Sequence, residues 1–257
     1  MPINPHSRLA QRGYNLNHRQ CAVAGCTNPP RSGLSGLCDR HRTAFRRLGH
    51  YEQEFPDTYA LNDALARMSA ARGRIKHKLV PGALEAQYET LASNARATCE
   101  PVYKASGRQA SSRFHTEAAQ VVRDTAEHLP FERFFDLLSA LHLIRIERPG
   151  FFKADDQGED DASFRCVLVE ALRRVAKMDR KWLRDKGRPG AQHTYRKDMS
   201  RQVRLEVGKL IDTALGGAAR ELARIEANRT EQERATRANY HETISAIAQA
   251  QPSYAAE

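Results

Sequence analysis

The chain has 257 residues, with 41 lysines and arginines against 31 aspartates and glutamates, so its net charge is +10. No apolar run approaches the roughly 18 residues that a membrane span needs, and the first residues lack the apolar core of a secretory signal. We therefore expect a cytoplasmic protein with reduced thiols and no membrane partner.

The positive charge is concentrated in two separate blocks. Residues 1–50 hold eight arginines and a single acid, and residues 165–197 hold eleven lysines and arginines against three acids. Five acids fall between 155 and 161. Two basic blocks favour a polyanionic partner, of which nucleic acid is the commonest in the cytoplasm. The alternative is that the blocks only keep the protein soluble.

Three of the five cysteines lie in the segment CAVAGCTNPPRSGLSGLCDRH at 21–41. Their spacing, C-x4-C-x11-C-x2-H, supplies two close ligand pairs joined by a longer loop, which is typical of tetrahedral zinc sites. His18 and His50 are alternatives for the fourth ligand. The sequence predicts a zinc site whose ligands are Cys21, Cys26, Cys38 and His41.

The segment between the ligand pairs is rich in turn residues and has no apolar core, so a bound metal is expected to supply its stability. A disulfide is the weaker explanation in a reducing compartment. Four protein ligands leave no position for an activated water, so the zinc is expected to be structural. Cys99 and Cys166 stand alone and are expected to be buried or half-buried.

The segment CAVAGCTNPPRSGLSGLCDRHRTAFRRLGH resembles short zinc modules of bacteriophage and mobile-element proteins, which share the pattern C-x4-C…GLC-x2-H…R-x-x-G. Some of these modules precede HNH homing endonuclease domains. The resemblance covers about 30 of the 257 residues and implies metal ligation by the same four residues. The spacer between the ligand pairs is longer than the usual tight hairpin. No HNH-type catalytic segment follows, so the resemblance does not imply nuclease activity.

The second ligand pair is predicted to open a short helix that ends at Gly49. Phe45 and Leu48 would face inward. The helix suits contacts with phosphates, or with bases in a groove. The residues predicted to make these contacts are Arg40, Arg42, Arg46 and Arg47.

Residues 57–147 are predicted to be mostly helical. Asp57 is a candidate helix cap, and the apolar run FERFFDLLSALHLIRI is expected to be core. Arg148-Pro149-Gly150 is a turn signal between the short apolar runs 143–147 and 151–153, which predicts a β-hairpin. A winged helix-turn-helix domain is an alternative for this part of the chain.

The segment SFRCVLVEALRRVAKMDRKWLRDKG is predicted to form an amphipathic helix with a basic face. Few acids accompany its cations, which favours contact with nucleic acid over an ordinary surface helix of mixed charge. The residues predicted to make the contacts, in this helix and the loop after it, are Arg173, Lys177, Arg180, Lys181, Arg184, Lys186 and Arg188.

Residues 200–250 are predicted to form one or two long helices. An apolar stripe from Val203 to Ile225 repeats at threes and fours, interrupted at Gly216-Gly217. It suits packing against another helix, either in the same chain or in a second copy as a homodimer. Beyond Ile225 the absence of an apolar stripe predicts either a solvated helix or a frayed one.

Taken together, the sequence predicts a mainly α protein with a basic zinc module (1–50), a helical core domain (51–154), an acidic linker (155–164), a basic helix with a long helical tail (165–250) and a disordered end (251–257). The predicted function is zinc-stabilised binding of nucleic acid, with duplex DNA the favoured partner, as a regulator or an accessory of recombination or replication in a phage or mobile element. The alternative is a zinc-containing helical adaptor between proteins. A nuclease is the enzyme alternative, but no tight cluster of Asp, Glu and His supports it.

Overall fold

Helices form every regular element in the part of the chain that the structure describes. This computed structural model describes residues 20–31, 36–74, 81–99, 113–154, 161–175 and 199–250. The predicted mainly α fold is confirmed. The helices are α1 (Asp39–Leu48), α2 (Thr58–Arg74), α3 (Pro81–Cys99), α4 (Arg113–His128), α5 (Phe131–Glu147), α6 (Asp161–Val175), α7 (Arg201–Ile211), a π-helical turn (Asp212–Gly216) and α8 (Gly217–Ala250).

Local signals set several helix ends. The Asp57 carboxylate accepts a hydrogen bond from the backbone N–H of Ala60 at 2.8 Å, which confirms the predicted cap of α2. The Ser200 hydroxyl accepts one from the N–H of Val203 at the start of α7. Gly49 ends α1 with a φ of 89°, a left-handed conformation that favours glycine.

Helix α5 lies at the centre of the molecule. Its residues from Phe134 to Ile144 are all buried, in contact with α2, α6 and α8. The run predicted to be core is therefore core. Residues 143–147 complete this helix, and the N–H of Arg148 still bonds to the carbonyl of Ile144. The predicted β-hairpin is wrong, and without a strand in the described residues the winged-helix alternative lacks its wing.

The helices from α2 to α8 share one hydrophobic core. The same cluster includes Leu61 of α2, Leu138 of α5, Leu168 of α6 and Leu222 of α8. Described residues of the predicted core domain and of the predicted basic segment thus pack into the same cluster. Helix α6 begins at Asp161, so residues 161–164 belong to a helix and not to the acidic linker. Cys166 is fully buried and Cys99 is half-buried, as predicted.

Helices α7 and α8 continue through the π-helical turn as one helical segment. Along it Val203, Val207, Ile211 and Leu222 are buried in the chain's own core. The apolar stripe therefore packs within the chain, and these side chains are not available for the homodimer contact predicted as an alternative. Residues 231–246 are helical and exposed throughout, which confirms a solvated helix.

No helix in the described ranges has both the length and the apolar character needed to cross a membrane.

Candidate metal centre

Four side chains near the start of the described chain converge on one point. The Sγ atoms of Cys21, Cys26 and Cys38 and the Nδ1 atom of His41 all lie within 4.8 Å of one another. Nδ1 of His41 is 3.2 Å from Sγ of Cys21 and 3.5 Å from Sγ of Cys38. The Sγ atoms of Cys26 and Cys38 are 3.9 Å apart. The four predicted ligands are thus brought together in an arrangement that can hold a metal ion.

Turns and a helix start position these ligands. Gly25, with a φ of 76°, sits in the turn that separates the first pair, where the N–H of Cys26 bonds to the carbonyl of Val23. Cys38 is the N-cap residue of α1, and His41 lies in the first turn of that helix. The second pair is therefore fixed by helix geometry and the first by a tight turn.

The surroundings of the thiols act differently on two of them. Burial raises the pKa of the Cys21 thiol. Burial also opposes ionisation of Cys38, but hydrogen bonds from the backbone N–H of His41 and from the neighbouring thiols outweigh it, so the pKa of Cys38 lies below its usual value. The N-terminus of α1 thus already favours the thiolate form, which is the form that ligates a metal.

His41 presents Nδ1 to the thiols, so a metal bound there would leave the proton on Nε2. The predicted alternative ligand His50 is engaged elsewhere, because its Nδ1 accepts a hydrogen bond from the N–H of Glu52. His18, the other alternative, lies outside the described residues.

The ligand segment has a small apolar core of its own, separate from the main one. Its buried members are Cys21, Val23, Leu37 and Cys38. Two of the four carry ligand thiols, so among the described residues of the segment two buried side chains, Val23 and Leu37, are purely apolar. A core of this size does not stabilise a fold alone, which agrees with the predicted dependence on a metal.

Helix α1 joins this segment to the main body. The backbone at Gly49 approaches α6 so closely that a Cβ there would lie 2.5 Å from the carbonyl oxygen of Ala162. The Arg201 guanidinium lies 4.7 Å from the ring centre of Phe45 and donates to the carbonyl of Gly49. These contacts fix α1 on α6 and α7.

The four arginines of α1 fall into two groups. Arg40 and Arg46 are exposed and Arg42 is half-buried. Arg40 lies 3.6 Å from the Glu54 carboxylate, whereas Arg42 and Arg46 make no ion pair with a described residue. Arg47 turns inward and pairs with the buried Glu170. Of the four residues predicted to contact nucleic acid, Arg47 thus has a carboxylate of the main body as its partner.

The second basic block is also placed differently from the prediction. Ten of the eleven residues from Ser163 to Arg173 are buried, the exception being Arg165, so this part of α6 is an interior helix and not an amphipathic surface helix. Arg173 is 6% exposed and also faces Glu170. The remaining predicted contacts, from Lys177 to Arg188, lie outside the described residues.

Sequence reasoning missed Glu170 and Arg204, which pair at 3.2 Å and are both fully buried. One signal was available: Glu170 precedes Arg173 and Arg174 by three and four residues in an otherwise apolar helix. Arg204 stands within the apolar stripe of α7 and carries no comparable local signal.

A cleft of about 750 Å³ lies beside the metal centre, between the ligand segment and the main body. His41, Tyr51 and Phe151 contribute to its walls, and Arg40 and Glu54 place both signs of charge there. The mixed charge does not select for an anion or a cation.

Comparison of the chain with protein-family models, curated proteins and solved structures finds no match. Within the described ranges, the Cys21, Cys26, Cys38 and His41 cluster is the one group of three or more His, Cys, Asp or Glu side chains that could hold a metal ion.

Proposed function

We propose that this protein is a zinc-stabilised nucleic-acid-binding protein that contacts duplex DNA through the outer face of α1. The observation that carries the proposal is the position of two ligands, Cys38 and His41, at the start of the helix that bears Arg42 and Arg46. A metal bound there would hold that helix in place.

Zinc is the proposed metal because three thiolates and one imidazole form a donor set typical of structural zinc. Tetrahedral zinc with bonds of about 2.3 Å to sulfur and 2.0 Å to nitrogen would separate two sulfurs by about 3.8 Å, and a sulfur from a nitrogen by about 3.5 Å. The observed 3.9 Å between Cys26 and Cys38, and 3.5 Å between Cys38 and His41, are close to these separations, whereas the 3.2 Å between Cys21 and His41 is about 0.3 Å shorter.

DNA is the proposed partner because of the cations near this centre. Arg42 and Arg46 are one helical turn apart, and neither is neutralised by a described acid. Arginine suits phosphate because its planar guanidinium donates two parallel hydrogen bonds. The resemblance of the ligand segment to phage and mobile-element modules supports a role as a regulator, or as an accessory of recombination or replication.

The adaptor alternative is less well supported. It depended on the stripe from Val203 to Ile225, most of which the chain's own helices cover. No described observation favours a protein partner over nucleic acid.

DNA binding is tested by fluorescence anisotropy with duplex DNA, single strands and RNA at several salt concentrations. Affinity for the duplex should fall steeply with salt. The double variant Arg42→Ala/Arg46→Ala should bind more weakly, with a log–log salt slope smaller by about 1.8, since each lost phosphate contact reduces it by about 0.9.

The matched control is Arg224→Ala/Arg237→Ala, which removes two exposed cations from α8. It should leave the salt slope within about 0.5 of the wild type. Equal effects of the two double variants, or duplex affinity that ignores salt, would contradict the proposed surface. Zinc is tested separately by native mass spectrometry, where one zinc per chain and its loss in Cys38→Ser are expected.

A further inference from the structure

The cleft beside the metal centre lies between the two hydrophobic cores. On one side Tyr51 packs against the small core of the ligand segment, and on the other Phe151 packs against the main core. Both aromatic residues are half-buried and line the cleft, so part of each one faces its interior. The volume of about 750 Å³ is in the range of small-molecule binding sites.

Hydrogen bonds fix the wall that the loops after α1 and α5 form. Gln53 is buried, and its Oε1 accepts a hydrogen bond from the N–H of Lys153 at 2.8 Å. Its Nε2 donates to the carbonyl of Glu54 at 2.6 Å. The ring of His50 lies 4.0 Å from that of Tyr51, between ring centres. A buried amide bonded at both ends holds the two loops together, so this wall exists before any ligand binds.

The opposite wall is the turn at residues 23–28 that joins the first two metal ligands. Within it the N–H of Cys26 bonds to the carbonyl of Val23. This wall belongs to the segment that the proposed zinc stabilises, so the inference rests on the proposed metal. It does not rest on the proposed DNA surface, because Arg42 and Arg46 do not line the cleft.

Arg40 and Glu54 present a donor and an acceptor side by side in this cleft. Nη2 of Arg40 lies 3.6 Å from Oε1 of Glu54, which is longer than the roughly 2.7–3.2 Å of an N–H···O hydrogen bond. Their side chains are 76% and 77% exposed, and such a pair contributes little to stability. A ligand that accepts from the guanidinium and donates to the carboxylate can therefore replace this contact without leaving either charge unpaired.

A nucleobase has the shape and the edge that these walls require. It is a flat, uncharged ring that stacks on aromatic side chains, and its edge carries both donors and acceptors. Guanine alone has two adjacent N–H donors, N1 and N2, which match the two oxygens of a carboxylate, beside the acceptor O6, which matches a guanidinium. Adenine and cytosine have an amino group without a neighbouring ring N–H, and thymine has a ring N–H without an amino group.

We propose that the cleft is a binding site for a guanine base, with Tyr51 and Phe151 as its aromatic walls. Glu54 accepts hydrogen bonds from N1–H and N2–H, and Arg40 donates to O6. The base belongs either to a free guanine nucleotide or to an unpaired guanosine of a nucleic acid, since base pairing in a duplex occupies the edge that Glu54 reads.

The first test is isothermal titration calorimetry of the full, metal-loaded chain with GMP, AMP, CMP and UMP at constant ionic strength. GMP should bind at one site, about tenfold more tightly than each of the others. Inosine monophosphate lacks the N2 amino group and should bind about tenfold more weakly than GMP. Equal affinities for GMP and the other nucleotides, or no binding of GMP, would overturn the proposal.

The second test removes the two polar groups. Glu54→Gln and Arg40→Met should each weaken GMP binding by about tenfold, and Glu54→Gln should abolish the difference between GMP and inosine monophosphate. Both positions are exposed, so the variants should fold and keep one zinc per chain in native mass spectrometry. The matched controls Glu221→Gln and Arg224→Met alter an exposed ion pair on α8 and should leave GMP affinity unchanged. Undiminished GMP affinity in the two cleft variants would contradict the assignment.

The source of the base is distinguished with a single strand that carries one guanosine and a matched strand with inosine in its place. Tighter binding of the guanosine strand, lost in Glu54→Gln, assigns the site to an unpaired base of a nucleic acid. Equal binding of the two strands, together with selective binding of GMP, assigns it to a free nucleotide. Arg42→Ala/Arg46→Ala should leave GMP affinity unchanged, and Glu54→Gln should leave duplex affinity unchanged, so this proposal and the proposed DNA surface fail separately.

Discussion

Removing the metal is expected to unfold the ligand segment while the helical body stays folded. The segment comprises about 15 described residues, Gln20–Arg31 and Gly36–Cys38. Ordering their backbone costs at least about 1 kcal/mol each, or roughly 15 kcal/mol. Burial of the Val23 and Leu37 side chains stabilises the folded segment by about 4 kcal/mol.

Even with its backbone hydrogen bonds, the metal-free segment has an unfavourable free energy of folding. Four backbone bonds within the segment, donated by Cys21, Ala22, Cys26 and Arg31, add about 4 kcal/mol. The shortfall is then about 7 kcal/mol, which the roughly 10–16 kcal/mol of a structural zinc site covers. Without metal, the folded form of the segment would be disfavoured by about 10⁵-fold.

Hydrogen–deuterium exchange measures this directly. After chelation, the amides of Cys21, Ala22, Cys26 and Arg31 should exchange at the rate of an unstructured chain. Amides in the middle of α5 should keep their protection, because that helix belongs to the separate main core. Helix α1 should also persist, since Arg47, Phe45 and Gly49 hold it to α6 and α7.

Two substitutions provide the comparison. Cys38→Ser should reproduce the chelated pattern even with zinc present, whereas Cys99→Ser, which removes a half-buried thiol elsewhere, should not. Persistent protection of the four amides in protein shown to be free of metal would refute the reasoning, because burial and hydrogen bonds would then suffice.

Changes remote from the metal centre test the packing. Burial lowers the pKa of His142 to about 3, so the unfolded chain takes up the proton first. The contribution of neutral His142 to the free energy of unfolding is therefore fully present above about pH 6.5. It falls by up to about 1.4 kcal/mol per pH unit as the pH drops towards 3. In urea titrations His142→Gln should flatten this dependence, and an unchanged slope would contradict it. Gly49→Ala should cost more than about 1–2 kcal/mol, because of its left-handed backbone and the contact with Ala162, while Gly73→Ala, in open helix, should be neutral or stabilising; equal effects in denaturation would oppose this account. Leu222→Ala should lower the free energy of unfolding by about 2–5 kcal/mol, because the side chain is fully buried in the core; a change within about 0.5 kcal/mol would contradict this packing.

The metal centre was predictable because its chemistry is local in sequence. Cys38 and His41 share one helical turn, and a short glycine turn separates Cys21 from Cys26, so spacing alone brings each pair together. The core of α5 was predictable for a similar reason, because its apolar residues repeat at helical spacing. In both cases the number of residues between two side chains decides whether those side chains lie on the same side of the backbone.

The charged side chains of α1 and α6 were misplaced for different reasons. Arg47 pairs with Glu170 across 123 residues, which no local pattern shows. Arg173 pairs with the same carboxylate only three residues away, but the burial of α6 was not foreseen. A helical wheel assigns cations to solvent, since it assumes one buried face, whereas α1, α5 and α7 cover α6 from several sides. The turn signal at Arg148-Pro149-Gly150 was read as a hairpin, but it follows the end of α5.

The π-helical turn at Asp212–Gly216 follows a repeat of buried residues in the last helical segment and corrects the direction of the side chains after it. Val203, Val207, Ile211 and Leu215 are spaced by four. Four residues of an α-helix sweep about 400°, so such a row winds around the axis by about 40° at each step. The wider turn holds one extra residue and resets the angular phase. With one residue fewer, everything downstream would rotate by about 100°, and Leu222 would no longer face the main core.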